Sequence, residues 1–379
     1  ERWRLDGPPR VDFFPNRVSK MFRFNRVEGL YAGVAPSIDF RSAAPGLSAG
    51  AFGGWAFAEQ TIRGGAYTTY QRKQNTFGIR AERALASTND FGIPLDDDPG
   101  IGALLASIDN YDYVDRWTAM GSLTRVLGSV DVGLFTLQLG GGDDRPEHAR
   151  VSRGLFESGD GFLPNRGIEP GSYGLSSADI ELHPNVSGDY VQPGYGAHAH
   201  YELGRGGLNW QRAELGLSAR QYWGPISIAA HADGGIVLGN DIPPQKLFEM
   251  GGTGLLPGYD YKEFAGDRAV LFRTFASYRF NFLKRPIAFV RNYYLPGLSP
   301  GLAVSAQGGW TEISSSAAAA SVRALGTVNG NPISVATNGM RATVGGGVTL
   351  FSDLLHLGLA RPIDHRAPWE FVLGFGATF

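Results

Sequence analysis

Apolar and polar residues alternate along most of the chain after residue 26, in segments of roughly ten residues. Successive side chains of a β-strand point to opposite faces, so this alternation predicts strands with one apolar and one polar face. Ten such segments precede a glycine-rich stretch near residue 250 and five follow it. They cover residues 27–39, 50–60, 62–72, 77–86, 117–127, 130–139, 173–183, 194–203, 212–223, 226–237, 270–282, 302–311, 341–351, 354–360 and 370–379.

The polar faces carry charged residues. Between residues 212 and 223, Arg212, Glu214 and Arg220 alternate with Leu215 and Leu217. A soluble barrel packs an apolar interior, which would leave the charges on the outside. A charge facing lipid costs about 2–4 kcal/mol at the bilayer midplane, and the alternation avoids this at most positions. The pattern therefore predicts an all-β fold: a transmembrane antiparallel β-barrel with an apolar outside and a wet lumen crossed by ion pairs.

Fifteen segments imply about sixteen strands, because single-chain bacterial barrels have even strand numbers. The unrecognised strand is expected in residues 10–30 or 95–116. Residues 1–26 are basic, contain proline and follow no period. They are interpreted as a periplasmic lead-in that plugs or edges the barrel, or as an ordinary terminus, and the barrel is assigned to residues 27–379.

Three further segments break the alternation. Residues 101–116 have the spacing of an amphipathic helix. Residues 140–171 form a long irregular stretch and residues 314–332 are of low complexity. Long loops of outer-membrane barrels are extracellular, so both are predicted to lie outside the cell.

Composition excludes several other classes of protein. No apolar stretch of about 18 residues is present, which argues against a transmembrane helix. The net charge of −2 gives no reason to expect nucleic acid as a partner. The absence of cysteine suits a periplasmic folding route, where stray thiols oxidise. The chain begins at Glu1 without a signal region and is interpreted as a mature or truncated form.

The glycine-rich stretch is a long loop that feeds a strand with one apolar and one charged face. Its sequence, GGTGLLPGY at residues 251–259 followed by EFAGD at 263–267, resembles the inward-folded loop of the bacterial surface antigen superfamily. These are outer-membrane β-barrels of the BamA, TamA and two-partner secretion transporter type. The resemblance implies sixteen strands, five of them after the loop, and an inward loop at residues 240–267. The residues that carry it are Gly251, Gly252, Gly254, Pro257, Gly258, Tyr259, Phe264, Gly266 and Asp267.

One feature of that family is missing. Its loop usually places an arginine before Gly-Phe or Gly-Tyr, and this arginine pairs in the lumen with an acidic residue on the strand after next. Here Pro257 stands at the arginine position, and residues 302–311 contain no Asp or Glu. Losing both partners leaves no stranded charge. The loop is therefore expected to fold inward still, held by Tyr259 packing and glycine turns, while insertase activity becomes doubtful.

The last segment ends in phenylalanine and places Phe371, Phe375 and Phe379 on one face. An aromatic strand of this kind resembles the signal by which the assembly machinery recognises outer-membrane barrels. The alternative is the C-terminal edge strand of a soluble protein.

No catalytic or metal site is predicted. The acidic run Asp96-Asp97-Asp98 lacks the ligand spacing of an EF-hand and is better explained as a solvated turn. His198, His200, His231 and Asp233 are expected on lumen faces, where ion pairing explains them better than a tetrahedral zinc site. There is no nucleophile elbow and no phosphate-binding loop. The sequence therefore predicts a non-enzymatic protein without cofactors.

Three functions remain open on the sequence. The first is outer-membrane protein biogenesis or transport. The second is a structural or anchoring barrel for a partner, and the third is a pore plugged by the loop. The expected partners are the lipid bilayer of the outer membrane and periplasmic or surface proteins, with no nucleic acid.

Overall fold

The fold is described by a computed structural model that covers most of the chain. The described residues are 6–13, 18–88, 91, 100–107, 109, 111–156, 161–187, 192–252, 255–290, 293–295, 297–364 and 366–375. No helix among them has the length and apolar character needed to cross a membrane. The helices are α1 (Gly100–Ala106), α2 (Pro184–Ser187) and α3 (Ser316–Leu325), with 3-10 turns at Val18–Lys20 and Pro244–Lys246.

Strands make up most of the described chain. They are β1 (Arg10–Asp12), β2 (Phe22–Asn25), β3 (Gly29–Val34), β4 (Ser37–Asp39), β5 (Leu47–Ala56), β6 (Thr61–Arg72), β7 (Asn75–Ser87), β8 (Tyr113–Val126), β9 (Gly133–Pro146), β10 (Gly171–Leu182), β11 (Gly194–Gly206), β12 (Trp210–Trp223), β13 (Ile226–Leu238), β14 (Phe248–Met250), β15 (Phe264–Gly266), β16 (Arg268–Arg279), β17 (Ile287–Val290), β18 (Tyr293–Leu295), β19 (Gly301–Glu312), β20 (Thr327–Val328), β21 (Asn331–Pro332), β22 (Arg341–Leu350), β23 (Leu355–Pro362) and β24 (Glu370–Phe375).

Eighteen of these strands form one antiparallel sheet in which sequence neighbours pair. β1 and β2 share the first position, and β3 and β4 share the second. The sheet therefore has sixteen positions, as the sequence predicts, with five after the loop between β13 and β16. Among the described residues, no ladder joins β24 to β1 or β2.

The strand that the alternation did not reveal is β2, which lies within residues 10–30. Together with β1 it places part of the predicted lead-in against the sheet; the lead-in boundary itself stays a prediction. The single predicted strand at 27–39 is divided into β3 and β4 at Ala35 and Pro36. Proline has no N–H for the ladder, so an interruption there is expected.

The helix predicted over residues 101–116 is wrong in its second half. Only Gly100–Ala106 is helical, and the chain from Tyr113 onward belongs to β8. Pairing of Tyr113 and Val114 with Ser87 and Ala86 of β7 outweighs the weak helical period. Likewise β9 continues to Pro146, so the irregular connection begins at residue 147, and the low-complexity segment contains helix α3.

The two faces of the strands differ in burial as the sequence predicts: the polar face is buried inside the sheet and the apolar face is exposed outside. In β12, Arg212, Ser218 and Arg220 are buried, whereas Leu215 and Leu217 are 52% and 50% exposed. β16 likewise buries Arg273 and exposes Phe272. This polarity is the reverse of a soluble barrel. It suits a sheet whose outer face contacts hydrocarbon.

The two edges of the sheet differ in their connections. One, here called the loop edge, carries the four long connections at 88–112, 147–170, 239–267 and 313–340, besides shorter ones at 26–28, 57–60, 207–209 and 363–369. The other, the turn edge, carries turns of a few residues at 40–46, 73–74, 127–132, 224–225 and 351–354, a connection at 183–193, and one long connection at 280–300. Short turns mark the periplasmic side of such barrels.

Candidate functional site

The loop between β13 and β16 folds back as a short hairpin. β14 and β15 pair in register from Phe248 opposite Gly266 to Met250 opposite Phe264. The strand Phe264–Gly266 also meets the connection between β19 and β22 through a parallel bridge to Val335. β15 is therefore hydrogen-bonded on both of its sides, to β14 and to the backbone of Val335.

Glycines shape the tip of this hairpin. Gly251 and Gly252 have φ angles of 124° and 91°, in the left-handed region that favours glycine. A Cβ on Gly251 would lie 2.3 Å from the carbonyl oxygen of Asp260 across the tip. Gly254 lies outside the described residues. The sequence prediction of a glycine-dependent turn is thus given a geometric reason at Gly251 and Gly252.

The far side of the tip contacts the last two strands. Pro257 is buried, and the next residue, Gly258, donates its N–H to the carboxylate of Glu370 on β24. The hydroxyl of Tyr259 donates to Asp364, just beyond β23. Burial and Asp364 raise the pKa of the Tyr259 phenol, which therefore stays protonated as a donor. The loop is in this way attached to the end of the sheet.

Lys262 connects the other side of the tip to Asp112, the residue that directly precedes β8. Its side chain is 4% exposed and contacts the carboxylates of Asp112 and Glu249. The Lys262 Nζ to Glu249 Oε2 distance is 2.6 Å. Asp112 directly precedes β8, the sixth sheet position, whereas Glu370 begins the sixteenth. One loop thus links distant parts of the sheet, which requires the sheet to curl around it.

Two arginines complete this buried network. Arg166 Nη1 lies 2.8 Å from Glu249 Oε1, and its Nη2 donates to the carbonyl oxygens of Tyr261 and Lys262. Arg26, from the turn between β2 and β3, lies 3.2 Å from both Asp109 and Asp112. The network contains three cations and three anions, namely Arg26, Arg166, Lys262, Asp109, Asp112 and Glu249. Its charges therefore balance.

Burial and charge act in opposite directions on these groups. Burial favours the neutral form of Asp112, but Lys262, Arg166 and Arg26 outweigh it and hold the pKa of Asp112 below its ordinary value. Burial likewise opposes the charge of Lys262, yet Asp112 and Glu249 raise its pKa. For Asp109 burial dominates over Arg26, and its pKa is raised. The Lys262–Asp112 contact is therefore an ion pair at neutral pH.

The end of the loop is also fixed by polar contacts. Asp267 is buried and accepts hydrogen bonds from the backbone N–H and hydroxyl of Ser314. Phe264 packs edge-on against Tyr259 with 5.2 Å between the ring centroids. A Cβ on Gly266 would lie 2.3 Å from the carbonyl oxygen of Glu312. The structure thus gives each of these predicted residues a contact within the loop or with β19 and its following connection.

Sequence reasoning missed the ion pairs that hold the loop. It expected Tyr259 packing and glycine turns alone, because the family arginine and its acidic partner are absent. The cation is instead Lys262, five residues after Pro257, and the acids come from Asp112 and Glu249. Asp112 is 150 residues from Lys262, and no local pattern joins them. The only local signal in the sequence was the presence of a lysine, Lys262, within the glycine-rich loop.

The loop also covers an apolar cluster under the loop edge. Phe248, Met250, Leu256 and Phe264 of the loop pack with Trp210 and neighbouring wall residues. Phe248 lies over Gly235, where a Cβ would be 2.3 Å from the ring. The loop therefore contributes both apolar and ionic contacts beneath the loop edge.

The other predicted residues are placed as follows. Phe371 on β24 is 60% exposed, as expected of a lipid-facing position. Phe375 belongs to β24, and Phe379 lies outside the described residues, as do Asp96, Asp97 and Asp98. The lumen histidines bind separate partners: His200 Nδ1 lies 2.5 Å from Asp179, and His231 lies 2.8 Å from Asp233. In the described part of the chain, no group of three or more metal-ligating side chains is arranged around a common point.

Comparison of the structure with solved structures gives matches among outer-membrane barrels. The crystal structure of BamA from Haemophilus ducreyi lacking POTRA domains 1–3 aligns over 96% of this chain and 68% of its own, with a TM-score of 0.56 and 13% identity. CdiB from Acinetobacter baumannii aligns over 93% of this chain and 57% of its own, with a TM-score of 0.40 and 10% identity. Pseudomonas aeruginosa OccK11 gives a TM-score of 0.36 and 11% identity over 96% of this chain and 90% of its own. In sequence, neither a family model nor a curated protein matches the chain.

The inverted polarity, the sixteen-position antiparallel sheet and the inward loop define an outer-membrane β-barrel. It lies in the outer-membrane bilayer, which its apolar face contacts. Within that class, the fold is similar to the barrel of BamA.

Proposed function

We propose that this barrel acts in outer-membrane protein biogenesis or transport, with the inward loop controlling the two ends of the sheet. The observation that supports this proposal is the span of the loop. It binds Glu370 and Asp364 at the last two strands and, through Lys262 and Asp112, reaches Arg26 beside the first. The proposal assigns no catalytic residue to the barrel.

An assembly or transport barrel must open either its lumen or its seam to a client protein. The loop is positioned to affect both, because it contacts the last two strands directly and is linked to the turn after the first strand through Asp112 and Arg26. Periplasmic or surface proteins are the proposed partners.

The test is depletion of the protein from its native cell, followed by quantification of other outer-membrane proteins. The proposal expects several of them to fall in the membrane fraction and to be restored by the intact chain. A Lys262→Met, Glu370→Gln variant should restore them less well at equal abundance. Normal levels of all outer-membrane proteins after depletion would contradict the proposal.

A plugged pore or anchoring barrel is the second candidate. It is supported by Pro257 in place of the family arginine, because the resemblance associates that arginine with insertase activity. On this alternative, deletion of residues 251–262 raises single-channel conductance in planar bilayers, while depletion leaves other outer-membrane proteins unchanged. The two measurements together separate the candidates.

A further inference from the structure

The turn edge carries one connection unlike its neighbours. Residues 280–300 join β16 to β19, whereas the adjacent connections at 224–225 and 351–354 are tight turns. The chain continues in strand direction past the end of β16, since Phe280 N donates to Pro300 O and Ser299 N donates to Leu283 O. Because the neighbouring turn ends near Pro225, which accepts from Arg279 N, this segment projects beyond the rim.

The projecting segment continues the lipid-facing column of β16. Even-numbered residues of β16 face outward, and Phe272 and Tyr278 are 46% and 48% exposed. Tyr278 and Phe280 pack edge to face with centroids 5.5 Å apart, and Phe280 and Phe282 stack at 5.4 Å. Phe282 and Leu283 are 54% and 56% exposed. An aromatic column that runs out of the hydrocarbon belt reaches the depth where aromatic side chains favour the membrane interface.

Basic residues follow the aromatic column directly. Lys284 and Arg285 are exposed, and the Lys284 ammonium donates to Asn281 within the same turn. Between Asp267 and Glu312 the sequence contains no acidic residue. No acidic residue close in sequence therefore neutralises the positive charge of Lys284 and Arg285.

We infer that residues 278–286, here called the rim segment, bind anionic phospholipid headgroups at the turn edge of the barrel. Tyr278, Phe280 and Phe282 place the segment in the interface, and Lys284 and Arg285 then lie at the level of the phosphates. Each Lys or Arg near an anionic surface adds to the attraction, within about a Debye length of it. Apolar surface exposed at this position also favours an interface over bulk water.

The absence of cysteine allows a direct test, because a single introduced thiol can be labelled. Leu283→Cys carries an environment-sensitive fluorophore in the full chain, reconstituted in vesicles of phosphatidylcholine with or without roughly one-third phosphatidylglycerol. Nitroxide-labelled headgroups report contact by quenching. The matched control is Ser129→Cys, an exposed position in the turn between β8 and β9 at the same edge.

The inference expects strong quenching at residue 283 in anionic vesicles. The ratio of headgroup-bound to headgroup-free rim segment, as reported by the label, should fall about tenfold or more in the K284E/R285E variant or in phosphatidylcholine alone. The reason is that two basic side chains lie near the surface. The label at residue 129 should respond to neither change. Equal quenching at residue 283 in both kinds of vesicle, with or without the K284E/R285E substitutions, would overturn the inference. Absence of quenching at residue 283 in every vesicle, with a change in label fluorescence only when a periplasmic extract is added, would also overturn it, in favour of a protein partner.

Discussion

At the scale of single residues, the most informative side chain is Lys262. It is buried in a loop that lacks the expected arginine, and it contacts two carboxylates from different parts of the chain. The desolvation penalty of a buried ion pair can match its Coulombic gain, so such a pair need not stabilise the fold strongly in total. Removing one partner is a different change, because it leaves an uncompensated buried charge.

Lys262→Met is expected to lower the free energy of unfolding by about 3–5 kcal/mol, since Asp112 and Glu249 would then share too little positive charge. Denaturant titration in detergent micelles measures this change. Arg268→Met is the matched control: its partner Glu312 lies 3.2 Å away, and both side chains are more than 40% exposed. Such an exposed pair contributes about 0–1 kcal/mol. Equal losses in the two variants would contradict the role given to Lys262.

Asp112→Asn gives a pH-dependent prediction. The pKa of Asp112 is lower in the folded state than in the unfolded chain, where it is about 3.9. Its contribution is therefore complete above the unfolded value and disappears as the pH falls through the folded one. The difference in unfolding free energy between the wild type and Asp112→Asn should stay constant from pH 7 to about pH 5 and shrink below about pH 4. A difference that grows on acidification would be inconsistent with the ion pair.

At the scale of elements, the loop depends on close approaches that only glycine permits. Gly258 has a φ of 88°, and a Cβ there would lie 2.3 Å from Cδ of Pro362. Its N–H also donates to Glu370. A side chain at this position would push the tip of the loop away from the last two strands.

Gly258→Ala is therefore expected to destabilise the barrel more than Gly339→Ala, measured as the thermal midpoint of unfolding. Gly339 has a comparable φ of 83°, but a Cβ there meets nothing within 4 Å. Both variants incur the cost of a positive φ, roughly 1–2 kcal/mol, and only Gly258→Ala adds a collision. Similar midpoints would mean that the loop tip moves aside freely.

The strands themselves could largely be predicted from the sequence. The alternation of Arg212, Glu214 and Arg220 with Leu215 and Leu217 predicts both the element and the face that meets lipid, because period two is a local property. The alternation does not reveal β2, since four residues hold too little of the period, although the strand lies in one of the two ranges where it is expected. The network around Asp112 and Lys262 depends on how distant loops meet, which no local pattern encodes.

At the scale of the whole molecule, the fold is a sheet that encloses its own charges. Lumen side chains pair with one another: Arg116 with Asp144, Lys246 with Glu202, and Arg273 with Asp233. Outward side chains are apolar and exposed along the same strands. A soluble protein would gain nothing from this arrangement, whereas a bilayer makes it favourable.

The central claim is thus the direction of the two faces, and cysteine scanning along β12 in reconstituted vesicles tests it most directly. Single cysteines at Leu215, Leu217 and Glu214 are each measured for reaction with a small water-soluble thiol reagent and, when labelled, for quenching by lipid-borne nitroxide. We expect lipid quenching at residues 215 and 217, and a several-fold lower response at 214, where only the water-soluble reagent should react. Lipid quenching at 214 with protection at 215 and 217 would contradict the claim.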